Sequence, residues 1–216
     1  MHPLLGGNRF VVSQHIDLGS GVNSYDVSDP DNGKLLMNGH EQEVAKSVYL
    51  ARGALRVLPR AAGAIRFRRM LPFWIEIKTP ANFRVFSCKQ DFALRPKAHV
   101  RDERARPVGC LSPSVWQTIF TPREDTDNPH YSDAVCNLLD KSDHEVGTIY
   151  VTTATSIRWS VMRDDDELAT VTNKWAGWGE LKGERNYLLT IDPKVRPDDP
   201  LRVLLLASVM WADLML

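Results

Sequence analysis

The chain has little of what marks several large classes of protein. Three cysteines (Cys88, Cys110, Cys136) in 216 residues are too few and too scattered for a disulfide framework, and none has a CxxC partner or a nearby histidine pair. That argues against a disulfide-stapled or structural-zinc domain and for a reducing, cytoplasmic setting. Neither charge sign dominates. The 27 Lys and Arg balance the 27 Asp and Glu, so no global field draws the chain to nucleic acid, and no nucleic-acid partner is expected. The histidines (His2, His15, His40, His99, His130, His144) are dispersed without an i, i+4 pair, and there is no GxSxG elbow or Gly-rich phosphate loop. Metal-assisted and nucleophilic catalysis thus lack their usual residues, and the chain reads as a non-enzyme. The opening MHPLLGGNRFVVSQ has neither the charged start nor the continuous apolar core of a secretory signal. No stretch reaches the ~20 apolar residues that span a bilayer.

What is present is mostly β. SYDVSDPDNGKLLM sets Pro30-Asp31-Asn32-Gly33 between two strand-like runs, and Asn-Gly supplies the positive φ that a tight hairpin needs. FWIEIKTPANFRVFSC repeats the plan with a turn at Thr79-Pro80-Ala81-Asn82, and Trp74, Glu76 and Lys78 alternate with Phe73, Ile75 and Ile77, so one face is wetter than the other. Further turns fall at 102–106, 140–144 and 164–167. Five hairpins with closely spaced turn signals indicate an antiparallel sandwich or barrel. VRDERARPVGCLSPSVW and VMRDDDELATVTNKW share a Val start, an Arg-Asp turn, a strand and a closing Trp. Either they are halves of an internal duplication, with Trp116 and Trp175 equivalent, or antiparallel hairpins simply resemble one another. The acidic DDDE at 164–167 and SDHE at 142–145 lack the spacing of a calcium loop and read as solvated turns. The three cysteines read as buried small apolar groups.

Two segments are helical in pattern. In residues 41–70, Val44, Val48, Ala51, Leu55 and Leu58 recur at helical spacing while Lys46, Arg52, Arg56 and Arg60 avoid that stripe. With Arg66, Arg68 and Arg69 the segment carries seven cations against Glu41 and Glu43, an excess of five. It either lies on an anionic membrane surface or packs across one end of the fold with its arginines solvated. Residues 201–216, LRVLLLASVMWADLML, are broken only by Arg202, Ser208 and Asp213. As a helix they rise about 24 Å, short of the ~30 Å hydrocarbon core. A helix apolar almost all round is normally buried, and the simplest arrangement threads it through a closed β-barrel. Asp198 or Asp199 caps its start, and Pro200 suits the first turn.

The stretch VTNKWAGWGELKGERNYLLTIDPK, followed by that apolar helix, resembles the C-terminal end of phospholipid scramblases. The matching residues are Lys174, Trp175 and Gly177, then Asn186 and Tyr187, with Gly109 and Trp116 matching an earlier strand. The resemblance covers most of the chain from about Phe10. It implies the fold shared with tubby and LURP-one-like proteins: one domain over 1–216, a closed antiparallel barrel of about twelve strands around a buried C-terminal helix at about 201–216, with a basic helical insertion at about 41–70. It also implies binding of anionic membrane phospholipids, peripheral membrane association and aid to transbilayer lipid movement. Lys46, Arg52, Arg56, Arg60, Arg66, Arg68 and Arg69 are the lipid-facing candidates. The family's calcium-associated loop keeps only Glu184 here, and Arg185 opposes a cation, so no cofactor, calcium included, is expected. The alternative is a scaffold that keeps the fold and docks an acidic protein partner.

Overall fold

The computed structural model of the chain describes residues 2–16, 22–42, 70–93, 96–113, 133–152, 158–174 and 185–215. Twelve strands follow in chain order: β1 (Arg9–Ile16), β2 (Asn23–Ser28), β3 (Leu35–Glu41), β4 (Phe73–Lys78), β5 (Arg84–Gln90), β6 (Ala98–Asp102), β7 (Pro107–Pro113), β8 (Asp133–Asp140), β9 (Glu145–Thr152), β10 (Arg158–Arg163), β11 (Asp166–Lys174) and β12 (Arg185–Ile191). Each pairs antiparallel with its sequence neighbours, and β12 pairs with β1, closing an up-and-down barrel. Closure removes both sheet edges, the exposed hydrogen-bonding rows through which open sheets aggregate.

The five sequence-marked turns share a bulged pairing but not one length: those at 79–83, 102–106 and 140–144 are three-residue loops, the turn at 29–34 is one residue longer, and the turn at 164–165 is a two-residue loop. Each joins β2–β3, β4–β5, β6–β7, β8–β9 or β10–β11, and each pairing slips its register by a bulge next to the turn. Each turn holds one residue at positive φ: Gly33, Asn82, Ala105, Asp143 and Asp164. A turn followed by a left-handed residue and a bulge is a standard three-residue hairpin solution. The turns of the two segments that resemble one another differ: Ala105 closes a three-residue loop at positive φ, whereas Asp164 opens a two-residue one, and Trp116 and Trp175 lie outside the described residues. Acid side chains fasten these turns. Asp102 Oδ1 accepts from the amides of Arg104 and Arg106, and Asp140 Oδ1 from those of Ser142 and His144. Gly109 has a steric reason of its own, since a Cβ there would run into the Leu139 carbonyl oxygen on β8.

The helix α1 (Leu201–Met215) is buried at every residue from 201 to 214. It packs on β6, β7 and β12, and β6 lies six places from β12 around the ring of twelve. A helix that touches opposite staves of a closed barrel lies in its lumen. The inward rows, such as Val12, Val27 and Met37 on one side and Leu189, Val171 and Trp159 on another, form one core with Leu205, Leu206, Val209 and Met210 of α1. No helix among the described residues is long and apolar enough to cross a membrane. The start of α1 is fastened by Asp199, whose Oδ1 accepts from Leu201 N at 2.8 Å; Asp198 instead pairs with Arg196.

Arg202 and Asp213, eleven residues apart, share one helix face by the 100° step, and that face meets the seam where the barrel closes. The Arg202 guanidinium donates to the carbonyls of Leu5, Gly7, Val195 and Arg196 and to Asn8 Oδ1, at 2.6–3.2 Å. These residues lead into β1 or follow β12. At the other end Asp213 accepts from Tyr187 Oη on β12 at 2.6 Å and from Tyr25 Oη on β2 at 3.1 Å, the strands on either side of β1. The two charged groups of the helix thus fix its depth and its rotation in a largely apolar lumen, while Ser208 Oγ donates to its own helix at Leu205 O.

Candidate functional site

Antiparallel alternation places the five tight turns and the start of α1 at one rim. All other strand connections attach at the opposite rim, among them both ends of the basic segment, at Gln42 and Met70. This second rim carries a buried polar chain. Gln14 Nε2 donates to Asn23 Oδ1 at 3.0 Å, and Asn23 Nδ2 donates to Glu41 Oε2 at 2.6 Å. Nearby, Arg185 Nη1 lies 3.6 Å from Asp213. Burial and the Asp213 carboxylate push the Tyr25 and Tyr187 hydroxyls well above the ordinary tyrosine value. Both tyrosines therefore stay protonated and act as donors that hold the helix end rather than as acids.

Next to this rim the outer wall of β4, β5 and β6 gathers charge. Outward residues alternate along a strand, and register decides which of them meet. One row across the wall reads Trp74, Lys89, His99 and the next Glu76, Ser87, Arg101. The small Ser87 in the middle leaves a groove of about 330 Å³ lined by Trp74, Arg84, Ser87, Lys89, His99 and Arg101, with Asp91 at its edge. Three fixed cations line it against one carboxylate. Lys89 Nζ lies 3.2 Å from Asp91, and Arg84 Nη1 lies 3.5 Å from Glu76, which also holds Lys78 at 3.2 Å. Arg101 is exposed and has no ion-pair partner among the described residues. The indole of Trp74 is 42% exposed and Phe92, in the β5–β6 connection, 59% exposed. Large aromatic groups left in water next to cations are the wall's departure from an ordinary barrel surface.

At the far edge of the wall Cys110 stands opposite His99. Its thiol lies 3.8 Å from Asp143, whose carboxylate is held by Lys97 Nζ at 2.8 Å. Burial raises that thiol above the ordinary cysteine range, and burial does the same to Cys88. Neither has the thiolate character of a nucleophile. All three cysteines are buried and none is in a disulfide among the described residues.

The residues singled out by resemblance fare unequally. Lys46, Arg52, Arg56, Arg60, Arg66, Arg68 and Arg69 lie outside the described residues, as do Trp116, Trp175 and Gly177. Lys174 ends β11 opposite Asn186, and Tyr187 points into the barrel as a ligand of Asp213. The groove residues Lys89, His99 and Arg101 carried no sequence signal of their own. The alternation of FWIEIK put Trp74 on the wet face, but only the register of β4, β5 and β6 assembles a site there. Comparison with protein-family models, with curated proteins and with solved structures finds no match to this chain.

Proposed function

We propose that the protein binds anionic phospholipid surfaces through the β4–β6 wall and the adjoining rim, without covalent chemistry. The observation that carries this reading is the row Trp74, Lys89, His99 with Arg101 beside it. An exposed indole suits the interfacial region of a bilayer, and arginine forks suit phosphate oxygens. Each Lys or Arg near an anionic surface contributes about 1 kcal/mol, or about fivefold in affinity. The basic segment, with its excess of five cations, is attached at the same rim, so both features draw one end of the barrel to the membrane. The lumen is filled by α1, which favours surface binding over lipid passage through the barrel; any aid to transbilayer movement would act from the outside.

Flotation of the purified protein with neutral and anionic liposomes, with and without calcium, tests the reading. Binding to anionic vesicles alone, independent of calcium, is the expected result. Lys89→Glu with Arg101→Glu on the wall, and Arg52→Glu, Arg56→Glu and Arg60→Glu on the segment, should each weaken it by tenfold or more. Trp74→Ala should weaken binding with little change in salt dependence. Undiminished flotation of both charge-reversed variants would sink the proposal. Lipid-independent, salt-sensitive capture of an acidic protein would put the scaffold reading in its place.

A further inference from the structure

The floor of the β4–β6 groove holds donors that the fold itself does not use. Ser87, 8% exposed, stands between Glu76 on β4 and Arg101 on β6. Neither its hydroxyl nor the Arg101 guanidinium has a hydrogen-bond partner among the described residues. Arg84 reaches Glu76 at 3.5 Å through Nη1, while its Nε is shielded from water and unpartnered. Lys89 pairs with Asp91 at 3.2 Å, but both side chains are more than half exposed, and such a surface pair holds its members weakly. The lining thus has three fixed cations against one carboxylate, an excess of two. Glu76 and Lys78, 3.2 Å apart on the flank, leave that excess unchanged. Geometry limits the size of what fits. Ser87 and Arg101 face each other one strand spacing apart, and Lys89 lies two residues along β5, so these donors frame a patch of about 5 by 7 Å. That is room for one phosphate. Carboxylates stand on its borders: Glu76 across on β4, Asp91 at the open edge, and Asp143 within Coulombic reach of His99. A head that extends a second phosphate sets it against one of them.

We infer that this groove selects a compact phosphomonoester headgroup, a phosphate attached directly to the lipid glycerol, over phosphodiester and polyphosphate heads. This selectivity rests on the membrane binding proposed above. A monoester phosphate carries about 1.5–2 negative charges at neutral pH and three terminal oxygens, which match the excess of two cations better than the single charge of a diester. Arg101 turns its fork to two of the oxygens, and Lys89 and Ser87 donate to the third. The Trp74 indole, 42% exposed, lies at the level of the glycerol, in the interfacial zone that tryptophan favours.

Flotation of the full chain with phosphatidylcholine vesicles carrying phosphatidate, phosphatidylglycerol or phosphatidylinositol bisphosphate, at matched total charge, tests the inference. Phosphatidate should bind about tenfold tighter than either of the others, the contribution of one further charge-assisted hydrogen bond. Arg101→Lys, at an exposed position, keeps the charge and removes the fork. It should bring phosphatidate down to the phosphatidylglycerol level and leave phosphatidylglycerol binding unchanged. Ser87→Val, which removes the floor hydroxyl and narrows the groove, should do the same, with an unchanged melting temperature showing that the barrel is intact. Equal binding of the three vesicle types overturns the inference while the membrane reading stands, and no binding to any of them overturns both. A preference for the bisphosphate, or a phosphatidate preference that survives in Arg101→Lys, would also overturn it. Glycerol 3-phosphate, titrated calorimetrically without vesicles, separates the lipid from a soluble source of the same head. It should bind at least about tenfold more weakly than phosphatidate vesicles, and equal affinity would overturn the assignment to a lipid.

Discussion

Replacing Arg202 by Met tests the account of how the helix is seated. The side chain is 1% exposed and fills the space between α1, the 195–196 turn and residues 5–8. Met keeps most of the apolar stem and removes every donor. Of the acceptors that lose a partner, Gly7, Asn8 and Arg196 are exposed residues whose oxygens water can reach, whereas Leu5 and Val195 are buried. An unsatisfied buried carbonyl costs about 1–3 kcal/mol. Two of them give about 2–6 kcal/mol, and relief from desolvating the guanidinium offsets part of the upper end. The expected loss is about 3–5 kcal/mol, the range for removing one member of a buried charged network, against a total stability of about 5–15 kcal/mol. At about 2–4 °C per kcal/mol for a chain of this size, the melting temperature should fall by roughly 6–20 °C. Urea unfolding followed by tryptophan fluorescence gives the free energy, and an unchanged m-value confirms that the same surface is exposed on unfolding. A loss under about 1 kcal/mol would refute the reasoning, because it would mean that the helix is held by apolar contact alone.

Three further outcomes follow from the same structure. Tyr187→Phe removes a 2.6 Å bond to a buried carboxylate and should cost about 1.5–3 kcal/mol, measured by urea unfolding; an unchanged free energy would show that this hydroxyl does not hold the helix end. Ala105 sits at φ 60°, where an L side chain is strained, so Ala105→Gly should stabilise by up to about 1 kcal/mol despite the greater freedom glycine gives the unfolded chain; a clear loss would show that the turn is not strained there. The carboxyls of Asp140, Asp143 and Asp166 are held below the ordinary value of about 3.9 by the amides of His144 and Ser142, by Lys97 and by Lys194 respectively. At Asp102 burial pushes upward, but hydrogen bonds from the Arg106 side chain and from the amides of Arg106 and Arg104 outweigh it. A depressed folded pKa gives stability that is present above the unfolded value and lost as pH falls through the folded one. Thermal scans should therefore be flat above about pH 5 and fall steeply below about pH 4, and the Asp140→Asn variant should show a shallower fall.

The hairpins were legible because their information is local. Pro30-Asp31-Asn32-Gly33, Thr79-Pro80-Ala81-Asn82 and the Asp-led turns at 102 and 140 each specify a chain reversal within a few residues, and strand alternation follows from a two-residue period. The lumenal helix was legible for a related reason: a stretch apolar on all sides has no stable place except an interior. The specific roles of Arg202 and Asp213 were not legible. Their spacing put them on one face, yet nothing local said that this face would meet the seam of β12, β1 and β2. The wall is the same case, since Trp74, Lys89 and His99 come from three strands and are brought together by register. By itself the sequence determined where the chain turns, which strand faces turn inward and that the last helix is buried. Closure of β1 on β12, the depth of the helix and the grouping of charges on the surface were decided by tertiary structure, because each depends on contacts between residues whose separation in the chain carries no periodic or turn signal.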